Sequence, residues 1–148
     1  VTCRLCRLVF LAPALDNRFE NCMKSQGEIE AAIGAGINRF EQEYMGRGPK
    51  DIETHLIGDL VVVRLKGVLT AAEQHLAQTL PADKGRDLLK QVRTHLVESA
   101  RTVMAQMVAE ITELDVLSLH HDISTITGEE IMVFTLIGAP DVRSLKKR

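Results

Sequence analysis

An α+β fold, a four-stranded antiparallel sheet made from two β-hairpins with helices on one face, is what the sequence predicts, in the order α-ββ-α-α-ββ. Three observations predict it. Helical periodicity opens at Ser25 and again near Asp83, period-two apolar alternation opens at Asp51 and Asp115, and each pair of alternating runs is joined by a glycine-bearing turn. The 148 residues suit one domain with a real core. A formal net charge of −2 offers no general attraction to nucleic acid or anionic membrane, and 3% aromatics leave no stacking platform for single strands. Nucleic acid is therefore excluded as an expected partner.

The first 22 residues stand apart. Arg4 and Arg7 precede the apolar run "LVFLAPAL", and Ala12-Pro13-Ala14 mimics a cleavage site, but the run is short and Pro13 interrupts it. Met23 stands directly before the first patterned segment. Residues 1–22 are expected to be a non-native or disordered extension and residues 23–148 a single domain. Cys3, Cys6 and Cys22 all fall in that extension, and the lone C-x-x-C pair lacks the second half of a zinc or redox site. No metal and no cofactor is expected.

From Ser25 onward each element has its own local reason. Ser25 stands as a helix cap with Glu28 as its capping-box partner, and Ile29, Ile33, Ile37, Phe40 and Tyr44 follow at helical spacing. The helix should stop at "MGRGP", where Gly46 can take a left-handed conformation and Pro49 cannot continue a helix. "DIETHLI" and "LVVVRLKGV" then form a hairpin about Gly58-Asp59. Thr70 and Glu73 repeat the capping box for a short helix that Pro81 ends. A long helix follows from about Asp83, and its positions Val92, Leu96, Ala100, Val103, Met107, Ile111 and Leu114 form the stripe expected to face the core. Leu88, Leu89, Met104 and Val108 widen the apolar surface, so part of this helix is expected to meet another helix, from this chain or from a second copy, and the protein is expected to be a homodimer. The last hairpin, "DVLSLHHDISTITGEEIMVFTLIG", turns near Thr127-Gly128, and "RSLKKR" reads as a solvated basic tail. No apolar stretch reaches the roughly 18 residues of a membrane span, so no direct membrane insertion is expected.

Candidate ligand-binding residues are few. His120 and His121 are neighbours on a strand, so they point to opposite faces, His121 with Leu117, Leu119 and Ile123, and cannot jointly chelate a metal without a bulge. His120 and Asp122 share the polar face, where a carboxylate can orient an imidazole, and His55 with Glu53 could join them if the hairpins pair suitably. Arg47, between two glycines and near Lys50, can present a guanidinium and backbone N–H groups to a small anion, and Arg64 can extend that basic face. His75 and His95 have no partners at ligand spacing. No catalytic residue emerges.

Two longer segments carry a family resemblance. "EYMGRGPKDIETHLIGDLVVVRLKGVLTAAEQHLA" and, later, "HHDISTITGEEIMVFTL" closely resemble the MpsC family of small bacterial proteins, over about Met23 to Ile137. That family takes its name from a sodium-translocating, membrane-potential-generating system with an antiporter-like membrane subunit and a large soluble subunit linked to inorganic carbon uptake. What the resemblance implies is a non-catalytic accessory or regulatory component of such a cation-translocating system, cytoplasmic and reaching the membrane only through partners, the antiporter-like subunit among them. It implies no catalytic residues. The competing expectation is a stand-alone protein, a sensor among the options, that binds a small anion or a metal around Arg47, Lys50, His55, Arg64, His120 and Asp122.

Overall fold

The computed structural model of the protein describes residues 23–143, so the expectations for the N-terminal extension and its cysteines, and for most of the basic tail, lie outside it. Chain order runs α1 (Gln26–Tyr44), β1 (Asp51–Ile57), β2 (Leu60–Lys66), α2 (Ala71–Thr79), α3 (Ala82–Thr112), β3 (Val116–Ser124) and β4 (Glu129–Leu136). This is the expected α-ββ-α-α-ββ sequence.

Both capping boxes form. The Ser25 hydroxyl accepts from the Glu28 backbone N–H while Glu28 accepts from the Ser25 N–H at 2.7 Å, and Thr70 and Glu73 repeat the exchange at α2. Each box satisfies two of the donors that a helix start leaves orphaned. In the first hairpin Gly58 takes φ 62°, which a two-residue turn with the right twist requires and a side chain would resist.

All strands are antiparallel, in the spatial order β1-β2-β4-β3. The second strand of each hairpin is therefore central and the first lies at an edge. Inward positions are Leu56 on β1, Val61, Val63 and Leu65 on β2, Leu119 and Ile123 on β3, and Met132, Phe134 and Leu136 on β4, all buried. The helices lie over this one face, α1 against β1 and α3 against β3. The Met107 side chain of α3 packs directly on the α1 backbone at Gly36, where a Cβ would lie 2.6 Å from its sulfur. The open face of the sheet has no helix on it among the described residues. No described helix is long and apolar enough to cross a membrane.

Two local expectations are corrected. The core stripe of α3 is Leu89, Val97, Ala100, Met104 and Val108, while Val92 and Val103 are 45% and 56% exposed. The true stripe is interrupted by Arg93, and that charge at a core position makes the neighbouring, outward phase look more continuous. In β3, Val116 pairs with Leu136 but Ser118 pairs with Thr135, so Leu117 is the extra residue of a bulge. Leu117 is thereby turned out, 67% exposed, instead of sharing the inward face with Leu119, His121 and Ile123.

Candidate functional site

The residues singled out from the sequence mostly sit on the open face, where they do not converge. Cross-strand register sets His55, Val62, Val133 and His120 in one row and Glu53, Arg64, Ile131 and Asp122 in the next. His55 and His120 thus occupy opposite edges, three strand spacings or about 14 Å apart. The structure does not bring His55 to the His120–Asp122 pair. His120 points outward and His121 inward, as strand alternation requires.

The charged members of this face are taken up by one another. Arg64 donates to Glu129 at 2.7 Å and faces Glu53 at 3.6 Å, and Lys66 donates to Glu53 at 2.6 Å and Asp51 at 3.1 Å. Hydrogen bonding from Lys66 holds the Glu53 carboxyl below the usual range. Asp122 is engaged by Lys90 of α3 at 2.8 Å, which lowers its carboxyl likewise, and the pair borders a groove of about 340 Å³. Arg47 donates to the Gly67 carbonyl at 2.9 Å and so ties the α1–β1 loop to the end of β2. Lys50 lies along Gly67 at the mouth of a second groove of about 440 Å³. Among the described residues no three histidine, cysteine or acidic side chains are placed to hold a metal ion.

The concentrated chemistry lies on the other side of the sheet. Arg93 of α3 is buried, with 1% of its side chain exposed, and it meets a carboxylate from each of three elements. Its Nη1 donates to Glu130 of β4 at 2.7 Å, its Nε to Glu73 of α2 at 3.3 Å and its Nη2 to the Val68 carbonyl at 2.9 Å. Glu41 of α1, wholly buried, approaches the same Nη1 at 3.7 Å, beyond hydrogen-bond distance. From β3, His121 Nδ1 lies 3.7 Å from the second oxygen of Glu130. Both Glu41 oxygens, Glu130 Oε1 and His121 Nδ1 are buried without a hydrogen-bond partner among the described residues.

Electrostatics separates the three acids. Glu41 is pushed up to about 7, first by burial and then by the nearby Glu130 charge, with Arg93 opposing. Glu73 is also disfavoured by partial burial, but the Thr70 backbone and Arg93 overcome that and leave it below the ordinary value. Burial works against the Arg93 charge, and Glu130, Glu73 and Glu41 together outweigh it. Glu73 thus serves twice, as the α2 capping partner and as an ion-pair partner of Arg93.

Sequence reasoning saw Glu73 only as a cap and His121 only by its inward direction, and it missed Glu41, Arg93 and Glu130. A signal was present. Glu41 continues the Ile33–Ile37 spacing, Arg93 falls midway between Leu89 and Val97, and Glu130 shares the parity of Met132 and Phe134. Charges of both signs at apolar phase on separate elements can be satisfied only by meeting one another.

An α+β domain with one helix-covered sheet face, a buried ion cluster and an open face of paired charges is the class that this geometry defines. Residues 25–137 match the family described as Na+-translocating membrane potential-generating system (MpsC), and the chain belongs to that family. It is 39% identical over 113 residues to the uncharacterized protein YbcI of Bacillus subtilis (strain 168), covering 76% of this chain and 89% of that protein. It is also 34% identical over 62 residues to the uncharacterized protein YrhF of the same organism, covering 42% of this chain and 48% of the other. No solved structure matches it.

Proposed function

We propose that this chain is a non-catalytic accessory component of a sodium-translocating, membrane-potential-generating system, and that it acts as a homodimer joined through the open face of its sheet. The family match supports the role, and one observation carries the interface. A sheet with one solvated face alternates apolar-in and polar-out, yet the central strands also present Leu60, Val62, Ile131 and Val133 outward. Strands apolar on both faces are built to be covered on both.

A second copy fits as the cover. A two-fold axis along the strands, lying between two stacked sheets, sets β2 of one copy over β4 of the other. Within the register above, Val62 then meets Val133 and Lys66 meets Glu129 of the opposite copy, twice over. Glu53 and Asp122, which the same operation brings opposite, each keep their own lysine. The face measures about 19 by 23 Å, so two copies bury on the order of 900 Å² of flat area, below the roughly 1,000 Å² that stable specific interfaces clear and in the range of weak, transient ones. The dimer is therefore expected to be a dissociable one.

The test combines mass and company. Sedimentation equilibrium of the full chain should show a dimer that V62K converts to a folded monomer. The tagged full chain, recovered from gently solubilised membranes of its native host, should bring an antiporter-like membrane subunit with it, less so at high salt. A dimer unaffected by V62K would overturn the interface. A chain recovered without any membrane component under mild conditions would overturn the accessory role.

A further inference from the structure

We propose that the buried cluster beneath α1 is a proton-binding site, in which Glu41 carries the proton against Glu130 and the bound proton fastens α1 to the rest of the fold. The argument is one of reach and charge. A guanidinium has five N–H donors in a fixed fork, and the three that are bonded here go to Glu130, Glu73 and the Val68 carbonyl, none of them to Glu41. Glu41 is left at 3.7 Å with neither oxygen partnered, and it is completely buried. One guanidinium cannot neutralise three carboxylates, and an unpaired buried carboxylate is costly enough that taking up a proton is the cheaper state.

The charged and titratable groups around Glu41 come from four elements. They are Glu73 of α2, Arg93 of α3, Glu130 of β4 and His121 of β3, with Glu98 of α3 acting electrostatically with His121 from the other side. With Glu41 neutral, Glu130 and Glu73 share Arg93. With Glu41 ionised, two carboxylates crowd one Nη1 and a bare charge faces the core, so α1 is the element that must give way. The value of about 7 for Glu41 places this exchange near neutral pH.

Carbon-13 NMR of the labelled full chain tests it directly. The Glu41 side-chain carboxyl, assigned by its absence from E41Q, should titrate ~2 pH units above the exposed glutamates. Amide exchange along α1, corrected for intrinsic base catalysis, should accelerate ~10-fold through the same midpoint. E130Q, which removes the competing carboxylate and frees an Arg93 donor, should lower the Glu41 midpoint by ~1 unit or more, and it also provides the assignment if E41Q fails to fold. A midpoint in the ordinary carboxylate range overturns the proposal, as does α1 protection that ignores the titration. A Glu41 midpoint that falls with added sodium chloride but not with potassium chloride would also overturn it, because a cation would then be the occupant.

Discussion

Arg64 and Arg93 use the same chemistry on opposite faces of one sheet, and the contrast between them shows what burial does to an ion pair. Arg64 lies between Glu53 and Glu129 with 43% of its side chain exposed, while Arg93 lies among Glu41, Glu73 and Glu130 with 1% exposed. Each guanidinium makes its shortest contact at 2.7 Å to a β4 glutamate, and Glu129 and Glu130 are adjacent in sequence. Strand alternation sends one to each face. The outward network can exchange its partners for water, whereas the inward one cannot, so its composition must balance and any imbalance appears as a shifted proton.

Removing Arg93 is the most damaging change that this comparison predicts. R93M leaves Glu130 and Glu73 without their buried cation and should cost roughly 3–5 kcal/mol in urea unfolding, or prevent folding. Adding Glu130→Met and Glu41→Leu should recover most of the loss, because a buried ionic group replaced whole by apolar side chains is often no worse. If R93M unfolds at the wild-type midpoint, the cluster is not the internal tie described above.

Next in size is the pH dependence of Glu41. Its folded value of about 7 lies above the ordinary 4.5, so its stabilising contribution is fully present below about pH 4.5 and is lost as pH rises through about 7. The full span corresponds to roughly 3 kcal/mol. Asp122 and Glu28, whose carboxyls are held low, act in the opposite sense, since their contributions are lost on acidification. Unfolding curves of wild type and E41Q, compared across this range, isolate the Glu41 part. The difference should move in favour of E41Q between about pH 4.5 and about 7 and level off above that, and a constant difference would count against the shift.

The same contrast explains what was legible in the sequence. Caps, turns and strand alternation are local, so Ser25, Thr70, Gly58 and the opposed directions of His120 and His121 could be read directly. The family resemblance was legible too, from two segments in order. The Arg93 cluster was legible only in its parts, because its members lie on five elements and each charge at an apolar phase, taken alone, passes for an irregularity in the pattern. The charge of Arg93 in the middle of the true stripe is also what made the phase through Val92 and Val103 look the more continuous one. The His55–His120 constellation failed for a complementary reason, since only the order β1-β2-β4-β3 shows that the two hairpins meet through their second strands. Polar face and strand were correct, and the distance across the sheet was not available.

Glu73 lies between the two extremes, with 21% of its side chain exposed. E73A removes both the α2 capping partner and one contact to Arg93 and should cost about 1–2 kcal/mol, whereas E73Q keeps an acceptor for the Thr70 N–H and should cost less. Equal losses in the two variants would mean that the charge on Arg93, rather than the cap, is what Glu73 mainly serves.

The smallest effect on folding belongs to the outward network and is informative for that reason. Lys66 contacts Asp51 and Glu53 at the sheet surface, where water and salt replace a lost partner readily. K66A should leave the unfolding midpoint nearly unchanged at moderate salt. If two sheets stack about an axis along the strands, however, Lys66 also faces Glu129 of the second copy, and desolvation between the sheets makes that contact count for more than it does at a free surface. K66A should therefore weaken dimerisation by sedimentation while sparing the fold, with the defect shrinking as salt rises. A variant that unfolds early would instead place Lys66 among the internal ties with Arg93. A variant silent in both measurements would remove the charge pairing from the interface and leave Val62 and Val133 to hold it alone.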